Sequence, residues 1–100
     1  MFIAIITYLK PTEEVNRFLS AHCDFLAAYL SIGNFIAAGP QNPCTGGVIL
    51  IKAENREEVD DIVKRDPWVV HGLAEYKVIE FLPTMCADES VSQLLNTPLS

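Results

Sequence analysis

The order of hydrophobic and polar positions along the chain predicts alternating strands and helices. Residues 2–9 are β-branched and aromatic, with apolar side chains on both alternating faces, which is typical of a strand covered on both sides. Further apolar runs bounded by glycine or proline predict three more strands, at residues 35–38, 47–52 and 74–82. A short loop separates the second strand from the third, so we expect these two to pair as a hairpin.

Two helices are predicted from apolar residues that recur every three or four positions. The first runs from about residue 13 to residue 32, with Thr12 as its N-cap and Gly33 as the left-handed residue that ends it. The second covers residues 56–65 and stops at the aspartate-proline pair at 66–67, because the residue before a proline is disfavoured in helical geometry. The predicted order is therefore β-α-β-β-α-β.

This order predicts an α+β fold in which both helices pack on one face of an antiparallel sheet, since that arrangement buries both apolar stripes. The opposite face of the sheet has no intrachain layer to cover it, although the last strand has apolar side chains on both sides, with Ile79 and Phe81 on one and Tyr76, Val78 and Leu82 on the other. We therefore expect a homodimer that forms sheet to sheet, and assembly beyond the dimer is left open.

The chain is expected to form one domain. We assign residues 1–83 to this domain and residues 84–100 to a C-terminal tail, in which residues 90–95 have the pattern of a short helix. The pattern predicts no role for the tail.

Composition narrows the range of partners. Thirteen acidic and seven basic residues give a net charge of -6, so the electrostatic attraction that drives nucleic-acid binding would be a repulsion here. The apolar run at residues 2–6 has no basic segment before it, and we expect neither a signal peptide nor a membrane span. Cys23, Cys44 and Cys86 lack the C-x-x-C spacing, which favours reduced thiols in a cytoplasmic protein and predicts no metal site and no cofactor.

One histidine stands out as a candidate for chemistry. His22 shares a helical face with Phe18 and Leu26, so its imidazole is expected to point toward the sheet. Asp66 is its natural partner at the end of the second helix, although an aspartate before a proline also initiates turns without any catalysis. Two interpretations stay open, a catalytic base or a hydrogen-bonded core histidine.

Several residues are candidates for the wall of a ligand pocket. Gly39 and Pro40 end the second predicted strand. Thr45 and Gly46 precede the third, where the backbone N–H groups either bind an anion or form a turn. Trp68 follows the aspartate-proline pair and either lines a cavity beside the histidine or fills the core.

The chain resembles the YciI-like (YCII-related) family over residues 1 to about 83. The motifs that carry this resemblance are SAHCDFL at 20–26, AGP at 38–40, TGG at 45–47, DPW at 66–68, and Gly72 with AEY at 74–76. The family pattern usually has phenylalanine or tyrosine after the proline, so Trp68 is a departure that narrows the expected pocket.

The resemblance implies a ferredoxin-like fold and a dimeric α/β-barrel-like assembly, with His22 and Asp66 as an active-site dyad. It also implies an enzyme similar to dehydrochlorinases of chlorinated hydroxyquinols and to muconolactone isomerases, which is a metal-independent lyase or isomerase that transfers a proton on a small cyclic molecule. The alternative is a non-catalytic module that binds a small metabolite or another protein.

Overall fold

The computed structural model describes residues 1–95. The elements follow in this order: β1 (Phe2–Tyr8), α1 (Thr12–Asn16), α2 (Leu19–Ser31), β2 (Phe35–Pro40), β3 (Gly46–Ile51), α3 (Arg56–Val63), α4 (Pro67–Val70), β4 (Ala74–Glu80) and α5 (Glu89–Leu95). Within this part of the chain, no helix is long and apolar enough to cross a membrane.

The four strands form one antiparallel sheet in the order β2-β3-β1-β4. β1 lies inside the sheet and pairs with both β3 and β4, which puts strands that are distant in sequence side by side. This strand order with helices as crossovers is the ferredoxin-like arrangement, so the prediction of an α+β fold of this class is confirmed.

The hydrophobic core lies between the helices and one face of the sheet. It includes Phe2, Ala4, Ile6, Ile49 and Ile51 from the sheet, and Val15, Phe25, Val59 and Ile62 from the helices. On the opposite face, Val48 is 38% exposed and Ile79 is 42% exposed. Ile3 and Ile5 on that face are only partly buried, so β1 is covered on one side within the chain and not on both as its pattern predicts.

The prediction of one continuous first helix is wrong, because the helix is interrupted between α1 and α2 at Arg17 and Phe18. The carbonyl of Val15 accepts the N–H of Phe18 at 3.1 Å and the indole N–H of Trp68 at 3.1 Å, so the regular helical hydrogen-bond ladder stops there. Thr12 is also not the N-cap, since Pro11 occupies that position without a side-chain hydrogen bond and Thr12 lies inside the helix.

Other boundaries differ by a few residues. β2 continues through Pro40, which an edge strand tolerates because it leaves no central ladder bond unmade. The second predicted helix stops before Asp66, as expected, but Pro67 then begins the short helix α4, since proline suits a first helical position. Gly33 has the expected positive φ of +87° at the end of α2.

Candidate functional site

Asp66 is a fully buried carboxylate at the junction of α3 and α4. One of its oxygens accepts the backbone N–H of Trp68 at 2.9 Å, and the other accepts the hydroxyl of Tyr76 at 2.6 Å. Both oxygens lie 2.9 Å from Nδ1 of His22. The carboxylate therefore caps α4 and contacts the imidazole at the same time, so the two interpretations of this aspartate are compatible.

His22 lies on the inward face of α2 and is 4% exposed. An ionised carboxylate only accepts hydrogen bonds, so the neutral imidazole carries its proton on Nδ1 and leaves a lone pair on Nε2. Within residues 1–95, every buried side-chain nitrogen or oxygen has a hydrogen-bond partner. Nε2 of His22 has no such partner among these residues. Nε2 is therefore accessible, and His22 contributes to the wall of the adjacent cavity.

Trp68 fixes the plane of the histidine ring. The two rings are stacked, with centroids 3.5 Å apart and planes 8° from parallel. The indole N–H donates to the carbonyl of Val15, and the ring of Tyr8 contacts the indole edge to face at 5.3 Å. Trp68 thus belongs to the core and to the site, and it joins α4 to the break between α1 and α2.

Tyr76 is a member of the site that the sequence patterns did not single out. Burial raises the pKa of its phenol, and the negative charge of Asp66 and the hydrogen bond to it raise the pKa further. The hydroxyl therefore remains a neutral donor to Asp66 at physiological pH. In the sequence, Tyr76 is the last residue of the AEY motif and lies on the helix-facing side of β4, and neither feature indicates a contact with Asp66.

A cavity of about 300 Å³ opens beside His22, between α2 and the β2–β3 hairpin. Its wall includes Gly39, Pro40, Gly46 and Trp68, which the sequence proposes as pocket residues. Thr45 is not among the residues that line it. The wall is mostly apolar, and no lysine, arginine, aspartate or glutamate of the described chain contributes to it.

Gly46 is the first residue of β3, where the sequence leaves a turn and an anion-binding nest open. A Cβ atom at this position would overlap the carbonyl oxygen of Ile6 on the neighbouring strand. The glycine thus permits a close approach of two strands. The N–H of Thr45 donates to the carbonyl of Pro43 at 2.8 Å, so it is not available to an anion.

Tyr8 and Cys44 also line the cavity, and the sequence patterns missed both. The hydroxyl oxygen of Tyr8 lies 3.7 Å from Sγ of Cys44. Burial, the hydrogen bond to Cys44 and its charge raise the pKa of Tyr8 to about 12. In the described part of the chain, no group of three or more histidine, cysteine, aspartate or glutamate residues is placed to hold a metal ion.

Comparison with known proteins gives three findings. The family model for the YCII-related domain matches residues 1–82. The uncharacterized protein YjpA of Bacillus subtilis is 30% identical over 79 residues, which cover 75% of this chain and 93% of YjpA.

Among solved structures, the chain is similar to 5-chloro-2-hydroxyhydroquinone dehydrochlorinase (TftG) from Burkholderia phenoliruptrix, in complex with 2,5-dihydroxybenzoquinone. The TM-score is 0.67 at 21% identity, and the match covers 82% of this chain and 94% of the other. At this identity the likeness concerns the fold. The family model, in contrast, matches residues 1–82, which are most of the sequence. This chain therefore belongs to the YCII-related domain family.

Proposed function

We propose that this protein is a metal-independent lyase or isomerase that moves a proton on a small, cyclic, oxygenated molecule. The observation that carries the proposal is the contact between Asp66 and Nδ1 of His22, which leaves the basic nitrogen Nε2 unpaired within residues 1–95, on a residue that lines the cavity. A positioned base of this kind contributes about 10² to 10⁴ in rate. The dehydrochlorinase activity named for the similar solved structure belongs to the same class of reaction.

In the proposed mechanism, Nε2 of His22 removes a proton from the bound ring, and the imidazole becomes an imidazolium. The negative charge of Asp66 stabilises this cation along the ring edge, and the face of Trp68 stabilises it from above. A lyase then completes the step by expelling a leaving group, such as chloride, with the electron pair of its bond. An isomerase instead returns the proton from His22 to another carbon, and neither route needs an oxidant.

The walls of the cavity would determine which rings fit. Gly39 and Pro40 on β2, with Gly46 on β3, offer backbone and small side chains to a ligand, and Trp68 adds an aromatic surface to the same wall. We propose that Thr45 contributes to the cavity only indirectly, as part of the loop that precedes Gly46. A cavity of about 300 Å³ has the size expected for a single ring with small substituents.

We further propose that the protein is a homodimer joined through the open face of its sheet. The exposed apolar side chains on or beside that face are Val48, Ile79 and Phe81, at 37–42% exposure. Ile3 and Ile5 of β1 lie on the same face and are partly buried. A second copy would bury this apolar surface, which one chain leaves in contact with water.

Two assays test the proposed chemistry. One measures chloride release from 5-chloro-2-hydroxyhydroquinone under anaerobic conditions, and the other measures solvent deuterium uptake at carbon in unsaturated five-membered lactones. We expect turnover by the wild type and a loss of about 10² to 10⁴ in His22→Gln, because the base is gone.

The matched control is His71→Gln, because His71 is exposed and stacks on Phe18 outside the cavity wall. This variant should keep the wild-type rate. Equal rates in the wild type and in His22→Gln would exclude a role of His22 in proton transfer. Saturable binding of these compounds without turnover would instead favour a non-catalytic binding module.

A further inference from the structure

The chain has three tyrosines, and their hydroxyl groups have different partners. The hydroxyl of Tyr29 accepts a hydrogen bond from the guanidinium of Arg65 at 2.9 Å, and that of Tyr76 donates to the carboxylate of Asp66 at 2.6 Å. Among the described residues, the hydroxyl of Tyr8 contacts only the sulfur of Cys44, at 3.7 Å. Sulfur is a weak hydrogen-bond partner, so an oxygen atom that enters the cavity would replace it at little cost.

Tyr8 and the proposed base contact the same indole and line the same cavity. Tyr8 ends β1 and contacts the edge of Trp68, while His22 stacks on the face of the same indole. All three side chains line one cavity. A single ring-sized ligand can therefore contact Tyr8 and His22 together.

The charges around the cavity restrict the ligand. No lysine or arginine of the described residues lines the wall, and the chain carries a net charge of -6, so an anionic ligand would find no counter-charge. Because burial and Cys44 raise the pKa of Tyr8 to about 12, its hydroxyl keeps its proton at neutral pH and remains a donor.

We propose that Tyr8 is a ligand-binding residue, whose hydroxyl donates a hydrogen bond to an oxygen of an uncharged, ring-sized ligand. This assignment rests on the proposed function, because it places the ligand in the cavity beside His22. When Nε2 removes a proton from the ring, negative charge develops on that oxygen, and the hydrogen bond from Tyr8 strengthens. Tyr8 would thereby select uncharged carbonyl and hydroxyl compounds over carboxylates.

A binding experiment tests this without any turnover. Trp68 is the only tryptophan of the chain and lines the cavity, so its fluorescence reports binding. The three probes are cyclohexanone, methylenecyclohexane, which has a similar shape without the oxygen, and cyclohexanecarboxylate, which is an anion. We expect Tyr8→Phe to weaken cyclohexanone about 3- to 10-fold, as for one lost hydrogen bond, and to leave methylenecyclohexane unchanged. The carboxylate should bind more weakly than cyclohexanone.

The control variant is Tyr29→Phe, which removes a hydroxyl outside the cavity wall and should bind all three probes like the wild type. Equal weakening of cyclohexanone and methylenecyclohexane in Tyr8→Phe would overturn the assignment, because the effect would then be packing. No saturable binding of cyclohexanone, or tighter binding of the carboxylate, would also overturn it. His22→Gln should keep the difference in affinity between cyclohexanone and methylenecyclohexane. A failure of the proton-transfer proposal can therefore be distinguished from a failure of the Tyr8 assignment.

Discussion

The imidazole of His22 lies flat against the indole of Trp68, with ring centroids 3.5 Å apart. Asp66 holds the edge of the same imidazole through Nδ1, so the direction of Nε2 is determined by two neighbours at once. The stack also places an electron-rich face against a ring that becomes positive when it takes a proton, and such contacts contribute about 0.5–2 kcal/mol. A fully buried core histidine would need a hydrogen-bond partner on both ring nitrogens, whereas a base needs one lone pair left free for a ligand.

The first prediction concerns Trp68→Phe. Phenylalanine keeps an aromatic face for His22 but cannot donate to the carbonyl of Val15, which would be left buried without that partner. We expect a loss of about 1–3 kcal/mol in the free energy of unfolding, with turnover within about tenfold of the wild type. Urea denaturation and the chloride-release assay measure the two effects. A stable variant without activity would mean that the indole itself contacts the substrate.

The second prediction concerns Asp66→Asn. An amide side chain can donate to Nδ1 of His22, which moves the ring proton to Nε2 and removes the basic lone pair from the cavity. We expect kcat to fall by about 10² to 10⁴ with little change in KM, since the walls of the cavity are kept. Steady-state kinetics on the substrate that the wild type accepts make the measurement.

Asp61→Asn is the matched control, because Asp61 is an exposed aspartate on α3, the helix that precedes Asp66. It should behave like the wild type. If the two variants lose activity equally, the effect arises from the charge of the protein and not from the tautomer of His22.

The sequence predicted the order of the four strands, the two helical crossovers between them and the pairing of His22 with Asp66, because each depends on a local pattern or on a family motif. Tyr76 belongs to the AEY motif, but the motif does not indicate what its hydroxyl contacts. Its hydroxyl reaches Asp66 only because antiparallel pairing of β4 with β1 brings it under α4, and its spacing along the strand indicates packing alone. The sequence did not predict the break in the first helix for a similar reason. The indole that donates to the Val15 carbonyl belongs to Trp68, which is distant in sequence.

The third prediction compares two glycines of the β2–β3 hairpin. In Gly46→Ala, the new methyl group would overlap the carbonyl oxygen of Ile6, so β1 and β3 must move apart. Gly39 has open space at its Cβ position, and Gly39→Ala should leave stability nearly unchanged. We expect Gly46→Ala to lose more than about 3 kcal/mol of unfolding free energy. Thermal denaturation of both variants tests this prediction. Equal melting temperatures would contradict the close contact between Gly46 and the carbonyl of Ile6.

The fourth prediction concerns the proposed dimer. Ile79 is 42% exposed on the open sheet face, and a charge there would oppose burial against a second copy. At tens of micromolar, we expect light scattering to show a dimer for the wild type and a monomer for Ile79→Asp. Ile32→Asp is the control, because Ile32 is 69% exposed at the end of α2, away from the sheet face, and this variant should remain dimeric. A monomeric wild type would reject the interface.

The last prediction is a pH dependence that originates in Tyr76. Burial, the charge of Asp66 and the hydrogen bond to it raise the pKa of Tyr76 above its unfolded value of 10.0. Above that pH the unfolded chain releases the phenolic proton while the folded chain keeps it, so the unfolded state binds fewer protons and stability falls as pH rises. The contribution is fully present below pH 10.0 and is lost at up to about 1.4 kcal/mol per pH unit above it.

Tyr76→Phe removes both the hydrogen bond and this titration. At about pH 8 the variant should be less stable than the wild type by about 1–3 kcal/mol, because Asp66 loses one of its donors. From about pH 10 to about pH 11 this difference should shrink by about 1 kcal/mol, since only the wild type now retains a proton that the unfolded state has released. Urea denaturation of both proteins across this range gives the difference directly. A difference that stays constant with pH would mean that Tyr76 titrates alike in the folded and unfolded states, and the hydrogen bond to Asp66 would then not be the strong contact that its 2.6 Å length indicates.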